Sequence, residues 1–246
     1  LKEFFRQHPK AAIAFSGGVD SSYLLYAALQ CGADVRAYYV KGAFQPQFEL
    51  DDAQRLARDI HAPMTVLRAD VLRDETVTAN PANRCYYCKK VVFSSIAQAA
   101  LADGYTVLLD GTNASDDAGD RPGMRALQEL QVLSPLRLCG LTKPEIRRLS
   151  KEARLFTWDK PAYARLATRI PTGEKITAEK LSATESAEGE LFAMGFTDFR
   201  VRWYAGAARL QFPAVQLPRV LERREEILTK LKKYYPAVLL DLEVRG

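Results

Sequence analysis

A predicted strand and a predicted helix meet at Ser16-Gly17-Gly18-Val19-Asp20-Ser21-Ser22, the stretch that decides the fold of this chain. The apolar run from Ala11 to Phe15 predicts a buried strand, and residues 21–30 have the periodicity of an amphipathic helix. The same alternation continues along the first half of the chain. Further strands are predicted at residues 35–40, 64–69, 106–110 and 131–133, and further helices at residues 51–60 and 86–102. This rhythm predicts an α/β fold with a parallel sheet and helices on both faces.

The glycines and hydroxyls of this stretch suit a phosphate chain. Gly17 and Gly18 allow a sharp turn and a close approach of the backbone to a ligand. The following helix directs its free amide groups and its positive dipole end into the loop. The hydroxyl donors are Ser16, Ser21 and Ser22. Asp20 would repel phosphate by itself but would help to hold Mg²⁺, so the ligand is expected to arrive as Mg-ATP. The alternative is a serine-capped helix after a glycine turn, with no ligand.

The stretch resembles the signature of the PP-loop ATP-pyrophosphatases and lacks the Gly-Lys-Ser/Thr ending of a Walker A loop. The resemblance implies a fold of the adenine nucleotide alpha-hydrolase type and cleavage of ATP between its α and β phosphates.

A second segment, Asp110 to Asp117, follows a predicted strand and is similar to the Gly-Thr-Asn segment of the same superfamily. This likeness implies that Thr112 and Asn113 face the nucleotide and that Asp116 reaches the metal. Lys143 would then neutralise charge on the phosphates as they separate.

Composition and charge limit the classes of function. With 48% hydrophobic residues the chain can bury a large core, and it has no apolar run of about eighteen residues that would predict a membrane span. The charged start, Leu1 to Lys10, predicts no signal peptide, so a cytoplasmic protein is expected. A formal net charge of +5 favours anionic partners, among them nucleotides, phosphorylated metabolites and RNA.

The second half of the chain predicts a smaller domain after a long connection. Thr142-Lys143-Pro144-Glu145 has the pattern of a helix start, and this helix is expected to end near Ala153. Between residues 156 and 175 the periodicity is lost, which is typical of a functional loop. Beyond it the sequence predicts helices at residues 178–194 and 217–231 and strands at residues 199–203, 208–212 and 238–244. We therefore expect a PP-loop domain over residues 1–173 and a small α+β domain over residues 174–246.

Several further segments together resemble the LarE family. They are Asn83 to Lys90, Ser134 to Leu136, Leu141 to Arg147, Thr157 to Ala162 and Thr168 to Pro171. The resemblance implies an enzyme that adenylates a pyridinium dicarboxylate mononucleotide and converts the activated carboxylate to a thiocarboxylate, as a step in building the nickel-pincer cofactor of lactate racemase. In the sacrificial version the sulfur comes from a cysteine of the enzyme itself. The resemblance also implies a homo-oligomer. The second domain is expected to help form the oligomer and to help bind the substrate.

The sequence departs from the family at the sulfur donor. The family pattern Pro-x-x-x-Cys-Leu-x-Ser/Thr-Arg corresponds to residues 161–169, and Arg165 stands at the position of the donor cysteine. Arginine carries no sulfur. Adenylation is therefore expected to be intact, whereas the sulfur step is expected to be altered or lost.

Arginines and one acid of the second half are candidate ligands. The family's Arg-x-Arg matches Arg200 and Arg202, whose guanidinium groups suit a substrate phosphate. Trp203-Tyr204 stands where the family usually has histidines, and Gln211 takes the place of an acid. Glu188 matches another acid of that site and is a candidate metal ligand, with Asp20 and Asp116. The candidate ligands for the substrate phosphate or carboxylate are Arg165, Arg169, Arg200 and Arg202.

Cys85 and Cys88 are three residues apart at the start of a predicted helix, so both thiols are expected on one face. The helix dipole favours their thiolate form. This spacing suits two metal ligands, a persulfide with its resolving partner, or a share in an iron–sulfur cluster, for which Cys139 would be a third thiolate. A buried helix pair, with Cys139 as a buried hydrophobic residue, is the alternative without chemistry.

Two other functions are alternatives. A tRNA thiolase would adenylate a base oxygen and replace it with sulfur, and Asn80 to Cys85 loosely resembles the cysteine loop of such enzymes. The chain has no recognisable RNA-binding module and no basic run interleaved with aromatic residues, so a nucleic-acid partner is not expected. The second alternative is a nucleotide-binding sensor or scaffold that has lost catalysis, which Arg165 and Gln211 favour.

Overall fold

The computed structural model describes residues 1–116, 122–161, 163 and 165–245. Three residues of the segments quoted above lie outside the described residues: Asp117, Ala162 and Ala164. The chain forms two compact units. The first contains Leu1–Val71 and Asn83–Tyr163, and the second contains Leu72–Ala82 and Ala164–Gly246.

A four-stranded parallel sheet forms the centre of the first unit, as the alternation of strands and helices predicts. Its strands are β1 (Lys10–Ala14), β2 (Asp34–Lys41), β3 (Met64–Arg68) and β4 (Leu108–Leu109), in the order β3-β2-β1-β4. In β1 the successive residues Ala11, Ala12 and Ile13 are all fully buried. Because neighbouring side chains on a strand point to opposite faces, both faces of the sheet are covered.

The strand predicted at residues 131–133 is reduced to a single bridge. Leu133 pairs in parallel with Leu109, and its carbonyl accepts the amide of Asp110 at 2.9 Å. Gln131 has a φ of 52°, in the left-handed region that an extended strand does not adopt. The prediction of a full fifth strand is therefore wrong, because the chain turns immediately before the position where it meets β4.

Helices α1 to α8 are Lys2–Gln7, Val19–Gln30, Gln47–Asp59, Glu75–Thr78, Arg84–Ala102, Pro122–Glu129, Pro135–Leu138 and Lys143–Glu152. Helix α4 belongs to the second unit, and the other helices of the first 163 residues belong to the first unit. The predicted capping box of α8 is confirmed, with the Thr142 amide donating to the Glu145 carboxylate at 2.8 Å. Among the described residues, no helix combines the length and the apolar character needed to cross a membrane.

The second unit has its own sheet and core. Strand β5 (Arg200–Tyr204) pairs antiparallel with β6 (Ala207–Gln211), and β6 pairs in parallel with β7 (Val238–Leu240). Helix α9 (Ala178–Ala193) packs against β5. Aromatic side chains fill the core between them: Phe196, Phe199, Phe212 and Tyr235. This small α+β unit agrees with the fold expected for the end of the chain.

The single helix predicted at residues 217–231 is divided at Arg223 into α10 (Leu217–Glu222) and α11 (Arg224–Leu231). The Arg223 guanidinium donates to the Met194 carbonyl at 2.7 Å. Arg219 donates to the same carbonyl at 2.7 Å and to that of Gly195 at 3.0 Å. Carbonyl groups at the end of a helix lack helical partners, so these two cations stabilise the C-terminal end of α9.

Asn80 joins two distant segments of the second unit. Its side-chain amide donates to three carbonyl groups at 2.7 to 3.3 Å, those of Ile170, Pro171 and Glu174. Its own carbonyl accepts the amide of Gly173 at 2.8 Å. Asn80 is buried, with a φ of 55° that asparagine tolerates better than most residues. These bonds tie residues 72–82 to residues 170–174, and both segments belong to the second unit. From the sequence, residues 72–82 and 170–173 are instead expected in the PP-loop domain, residues 1–173.

Candidate functional site

The phosphate-loop stretch lies where the order of the sheet strands switches. The chain proceeds from β1 to β2 and β3 on one side, while β4 lies on the other side of β1. Residues 15–18 leave the carboxyl end of β1, and residues 110–113 leave the carboxyl end of β4. Open α/β sheets bind ligands in the crevice at such a switch.

The phosphate loop requires glycine at its first turn. Gly17 has a φ of 71°, and a Cβ atom there would lie 3.0 Å from the Cβ atom of Ala53 in α3. The Ser21 hydroxyl accepts the amide of Ser16 and donates to the carbonyl of Gly18, both at 3.2 Å. Ser21 therefore shapes the loop from within.

Ser22 differs from the other two serines of the loop. Its side chain is fully buried, and its hydroxyl has no hydrogen-bond partner in the described part of the chain. Leaving a buried hydroxyl without a partner costs about 1–3 kcal/mol. Such an atom at the first turn of α2 is a candidate for contact with a ligand.

Gly111 brings the second loop against the first. A Cβ atom at Gly111 would lie 2.9 Å from the backbone nitrogen of Ser21, so a larger residue would push the two loops apart. The Asp110 carboxylate accepts the Thr112 hydroxyl at 2.5 Å and the Ser134 hydroxyl at 2.6 Å. Asp110 and Ser134 therefore hold this loop. Sequence reasoning missed these roles, and the only signal was that both residues belong to recognised segments.

The Asp20 carboxylate joins the two loops to α8. Asn113 donates its side-chain amide to Oδ1 of Asp20 at 3.3 Å, and Lys143 donates its ammonium group to Oδ2 at 2.5 Å. The Lys143 amide donates to the Ser115 hydroxyl at 2.9 Å, and the Asn113 amide donates to Asp116 at 3.0 Å. The structure thus brings together four predicted site residues from separate parts of the chain: Asp20, Asn113, Asp116 and Lys143.

The oxygen donors of this junction fit the chemistry of Mg²⁺. Asp20 and Asp116 supply carboxylate oxygens, which this hard cation prefers, and nucleotide phosphates and water usually complete its shell. The Lys143 ammonium group occupies one Asp20 oxygen, so a cation that takes this oxygen must displace it. Within the described ranges no three His, Cys, Asp or Glu side chains are grouped to hold a metal ion. Of the predicted metal ligands, this junction contains Asp20 and Asp116.

Glu188 instead pairs with Arg169 inside the second unit. Both side chains are almost fully buried, and Nε of Arg169 lies 2.7 Å from Oε1 of Glu188. The same oxygen accepts the amide of Val201 at 3.0 Å. Removing one partner of a buried ion pair leaves an uncompensated charge, which destabilises a protein strongly. These contacts give Arg169 and Glu188 a structural role in the unit.

The other predicted substrate arginines differ in exposure. Arg200 is buried and donates to the carbonyl of Phe199 at 2.6 Å. Arg165 and Arg202 are partly exposed. Burial, and then the nearby charge of Arg169 and other arginines, lowers the pKa of Arg202. A bound anion would relieve this repulsion, which makes Arg202 the strongest candidate among the four.

The cysteines are thiols and differ in their access to solvent. Cys85 is exposed, whereas Cys88 is buried although it lies one turn further along α5. Cys139, at the end of α7, is exposed, so the alternative of a buried hydrophobic Cys139 is wrong. In the part of the chain that the structure describes, Cys85, Cys88 and Cys139 do not form a group suited to a metal ion.

Comparisons with known proteins agree with the motifs. No protein-family model matches the chain. The chain is 36% identical, over 99% of its length and 92% of the relative, to an uncharacterized protein of Synechocystis sp.. It is 30% identical, over 95% of its length and 86% of the relative, to the pyridinium-3,5-bisthiocarboxylic acid mononucleotide synthase of Lactiplantibacillus plantarum.

A more distant likeness reaches beyond this group. The tRNA-specific 2-thiouridylase of Thermotoga sp. is 25% identical over 58% of the chain and 52% of the relative. The four-stranded parallel sheet, with its glycine-rich loop after β1, agrees with the PP-loop fold. Together these findings confirm the resemblance drawn from the motifs: the chain belongs to the LarE family, a sulfur-transferring family of the PP-loop superfamily.

Proposed function

We propose that this protein uses Mg-ATP to adenylate a carboxylate of its substrate and releases pyrophosphate, in preparation for sulfur insertion. The observation that carries the proposal is the junction at Asp20, where Asn113 and Lys143 meet one carboxylate at the carboxyl edge of the sheet. In the reaction, a substrate carboxylate oxygen attacks the α phosphorus. The bond between that phosphorus and the bridging oxygen breaks, and pyrophosphate leaves.

The chain's own groups have separate tasks in this scheme. The first turn of α2 offers backbone amides and a positive dipole end to the phosphates. The buried Ser22 hydroxyl gains a partner when a phosphate oxygen lies beside it. The Lys143 ammonium group leaves Asp20 and forms an ion pair with the departing pyrophosphate. Asp20 and Asp116 would hold Mg²⁺, which would supply positive charge to neutralise the phosphates.

The substrate is proposed to be a pyridinium dicarboxylate mononucleotide. The name of the relative from Lactiplantibacillus plantarum carries the bisthiocarboxylic form of such a compound. A mononucleotide offers carboxylates for adenylation and a phosphate for an arginine. Arg202, which is partly exposed, is the first candidate for the phosphate, with Arg165 and Arg200 nearby in sequence.

Arg165 sets the proposed sulfur step apart from the sacrificial one. Since no sulfur stands at that position, we propose Cys85 and Cys88 as the carriers. A persulfide on one, loaded with sulfane sulfur from a persulfide donor, would attack the acyl carbon and expel AMP. The other thiol would then release the thiocarboxylate by forming a disulfide, which an external dithiol would reduce. A metal or an iron–sulfur cluster held by the same pair is the alternative.

We further propose that the protein acts in the cytoplasm as a homo-oligomer. Light scattering at micromolar concentration tests the oligomeric state.

The test of the proposed function is anaerobic turnover with ATP and the pyridinium dicarboxylate mononucleotide. Pyrophosphate and AMP should appear in equal amounts and only when both compounds are present. A sensor would bind ATP and release no pyrophosphate with this or any other carboxylate. A tRNA thiolase would release pyrophosphate only when tRNA is added.

A further inference from the structure

The recognised segment Thr157 to Ala162 has no task in the adenylation scheme, yet α8 contacts its backbone and its tryptophan. The Arg147 guanidinium group of α8 donates to the Trp158 carbonyl at 2.6 Å and to the Lys160 carbonyl at 2.9 Å. The ammonium group of Lys151, also in α8, lies 4.6 Å from the centre of the Trp158 ring. Two cations of α8 therefore hold this segment against the helix.

Lys160 joins the same segment to α3. Its Nζ lies 2.7 Å from Oδ2 of Asp52 and 5.9 Å from the centre of the Phe48 ring. Phe48 and Asp52 are four residues apart, so they share one face of α3. The side chains of Lys160 and Asp52 are 14% and 33% exposed, so solvent screens this ion pair only in part. The contacts of Asp52, Lys160 and Arg147 thus link α3 to α8, and we call them the α3–α8 bridge.

Both helices that the bridge joins also contact the phosphate loop. Ala53, the neighbour of Asp52, faces the turn at Gly17, where an added Cβ atom would lie 3.0 Å from that of Ala53. Lys143, the first residue of α8, forms an ion pair with Asp20 at 2.5 Å. The loop is thus bounded by α3 at its first glycine and by α8 at its carboxylate. The bridge closes a ring of contacts that includes the loop, and all members of this ring lie in the first unit.

The ring bears on catalysis because a charged group stabilises a transition state best when it is already directed at the developing charge. Lys143 lies on α8 and the turn at Gly17 packs on α3, so the distance between them depends on how the two helices are held. We propose that Lys160 is a positioning residue for adenylation: through the α3–α8 bridge it fixes the Lys143 ammonium group relative to the turn at Gly17. The inference deepens the proposed function, on which its expected effect on the reaction rate rests.

A double-mutant cycle on single-turnover pyrophosphate release, with ATP and the pyridinium dicarboxylate mononucleotide, tests the proposal. Lys160→Met should lower the rate about 10- to 100-fold at saturating ATP, because a displacement of about 1 Å at a catalytic group has an effect of this size. Since Lys160 acts through Lys143, the double variant Lys143→Met/Lys160→Met should react at the rate of Lys143→Met alone. Asp52→Asn breaks the same ion pair from α3 and should give the result of Lys160→Met.

Two variants serve as controls for charge and for local packing. Lys160→Arg keeps a cation at the bridge and should stay close to the wild-type rate. Lys151→Met removes the other α8 contact with Trp158 but leaves the bridge intact, so its rate should match that of wild type. Thermal unfolding verifies that each variant is folded.

Amide hydrogen exchange without nucleotide supplies a readout that needs no reaction. Lys160→Met should accelerate exchange in residues 16–22 and in the first turns of α8, and should leave exchange in β1 unchanged. A wild-type rate of pyrophosphate release in Lys160→Met, a loss of rate in the double variant beyond that of Lys143→Met, or unchanged exchange in both segments overturns the inference. If wild type releases no pyrophosphate, the proposed function fails, and the exchange pattern still decides whether Lys160 holds the two segments.

Discussion

The ammonium group of Lys143 lies 2.5 Å from the carboxylate of Asp20, although the two residues are 123 positions apart in sequence. Both side chains are partly exposed, at 33% and 21%. A pair of this exposure contributes only about 0.2–1 kcal/mol to stability. Its importance therefore lies in the placement of a positive charge beside the phosphate loop rather than in holding the fold together.

The first prediction concerns this charge. Lys143→Met should lower the rate of pyrophosphate release about 10²- to 10³-fold, because the cation no longer stabilises the charge that develops on the leaving group. Lys143→Arg keeps the charge and is the matched control, which should retain more activity. Single-turnover release of pyrophosphate measures both. A methionine variant with the wild-type rate would exclude Lys143 from the reaction.

The second prediction concerns the shape of the phosphate loop. Gly17→Val should abolish ATP binding while the protein stays folded, because valine is strained at a φ of 71° and would contact Ala53. Strain of this kind costs about 1–3 kcal/mol. Gly32→Val is the matched control: Gly32 has a φ of 73° and open space around it, so the backbone strain is similar. Calorimetry should find normal ATP affinity in that control, and undiminished affinity in Gly17→Val refutes the loop assignment.

The third prediction concerns the source of sulfur. After anaerobic turnover with ATP and the pyridinium substrate, intact-mass spectrometry should find no dehydroalanine in the wild-type chain, since Arg165 carries no sulfur. Arg165→Cys is the informative companion variant, because it restores the donor position of the sacrificial pattern. Loss of one H₂S from any wild-type cysteine would reveal a sacrificial donor at another position.

The fourth prediction concerns the pair on α5. Protein purified without oxygen should carry iron and sulfide, zinc, or sulfane sulfur, and Cys85→Ser and Cys88→Ser should each lose it together with thiocarboxylate formation. Pyrophosphate release should survive in both variants, because adenylation precedes the sulfur step. Cys31→Ser serves as a control at a partly buried thiol in α2's C-terminal cap. If the wild type is free of these species and both variants stay active, the thiols are structural.

The fifth prediction is a pH dependence that involves α5 and α6. Hydrogen bonds from Tyr86, at 2.7 Å, and from Lys90 lower the pKa of Glu129 from 4.5 to about 2. A carboxylate whose pKa is lower in the folded than in the unfolded state stabilises the fold at pH values above its unfolded-state pKa. This stabilisation is lost as the pH falls through the folded-state pKa. Above about pH 4.5 the Glu129→Gln variant should therefore be less stable than wild type. This difference in the free energy of unfolding should shrink as the pH falls from about 4.5 to about 2. Chemical unfolding across this range measures the difference, and a difference that does not change with pH contradicts the prediction.

Some expectations failed because tertiary contacts outweigh local sequence preference. Residues 217–231 have the composition of one helix, yet Arg223 donates to the end of α9 and the helix is divided there. Residues 131–133 are apolar enough for a strand, but the left-handed conformation of Gln131 limits their pairing with β4 to one bridge. In both cases the deciding interaction lies outside the window from which the pattern was inferred.

Local patterns alone determined the family, the parallel sheet and the phosphate loop, because glycine geometry, strand and helix periodicity and motif spacing all act over a few residues. Only the tertiary structure decided which side chains meet. It placed Lys143 and Asn113 on the two oxygens of Asp20, buried Glu188 against Arg169 and left Arg202 on a neutral glutamine. These pairings join residues from separate strands and helices, and their energies depend on burial and on neighbouring charge, which no local stretch of sequence contains.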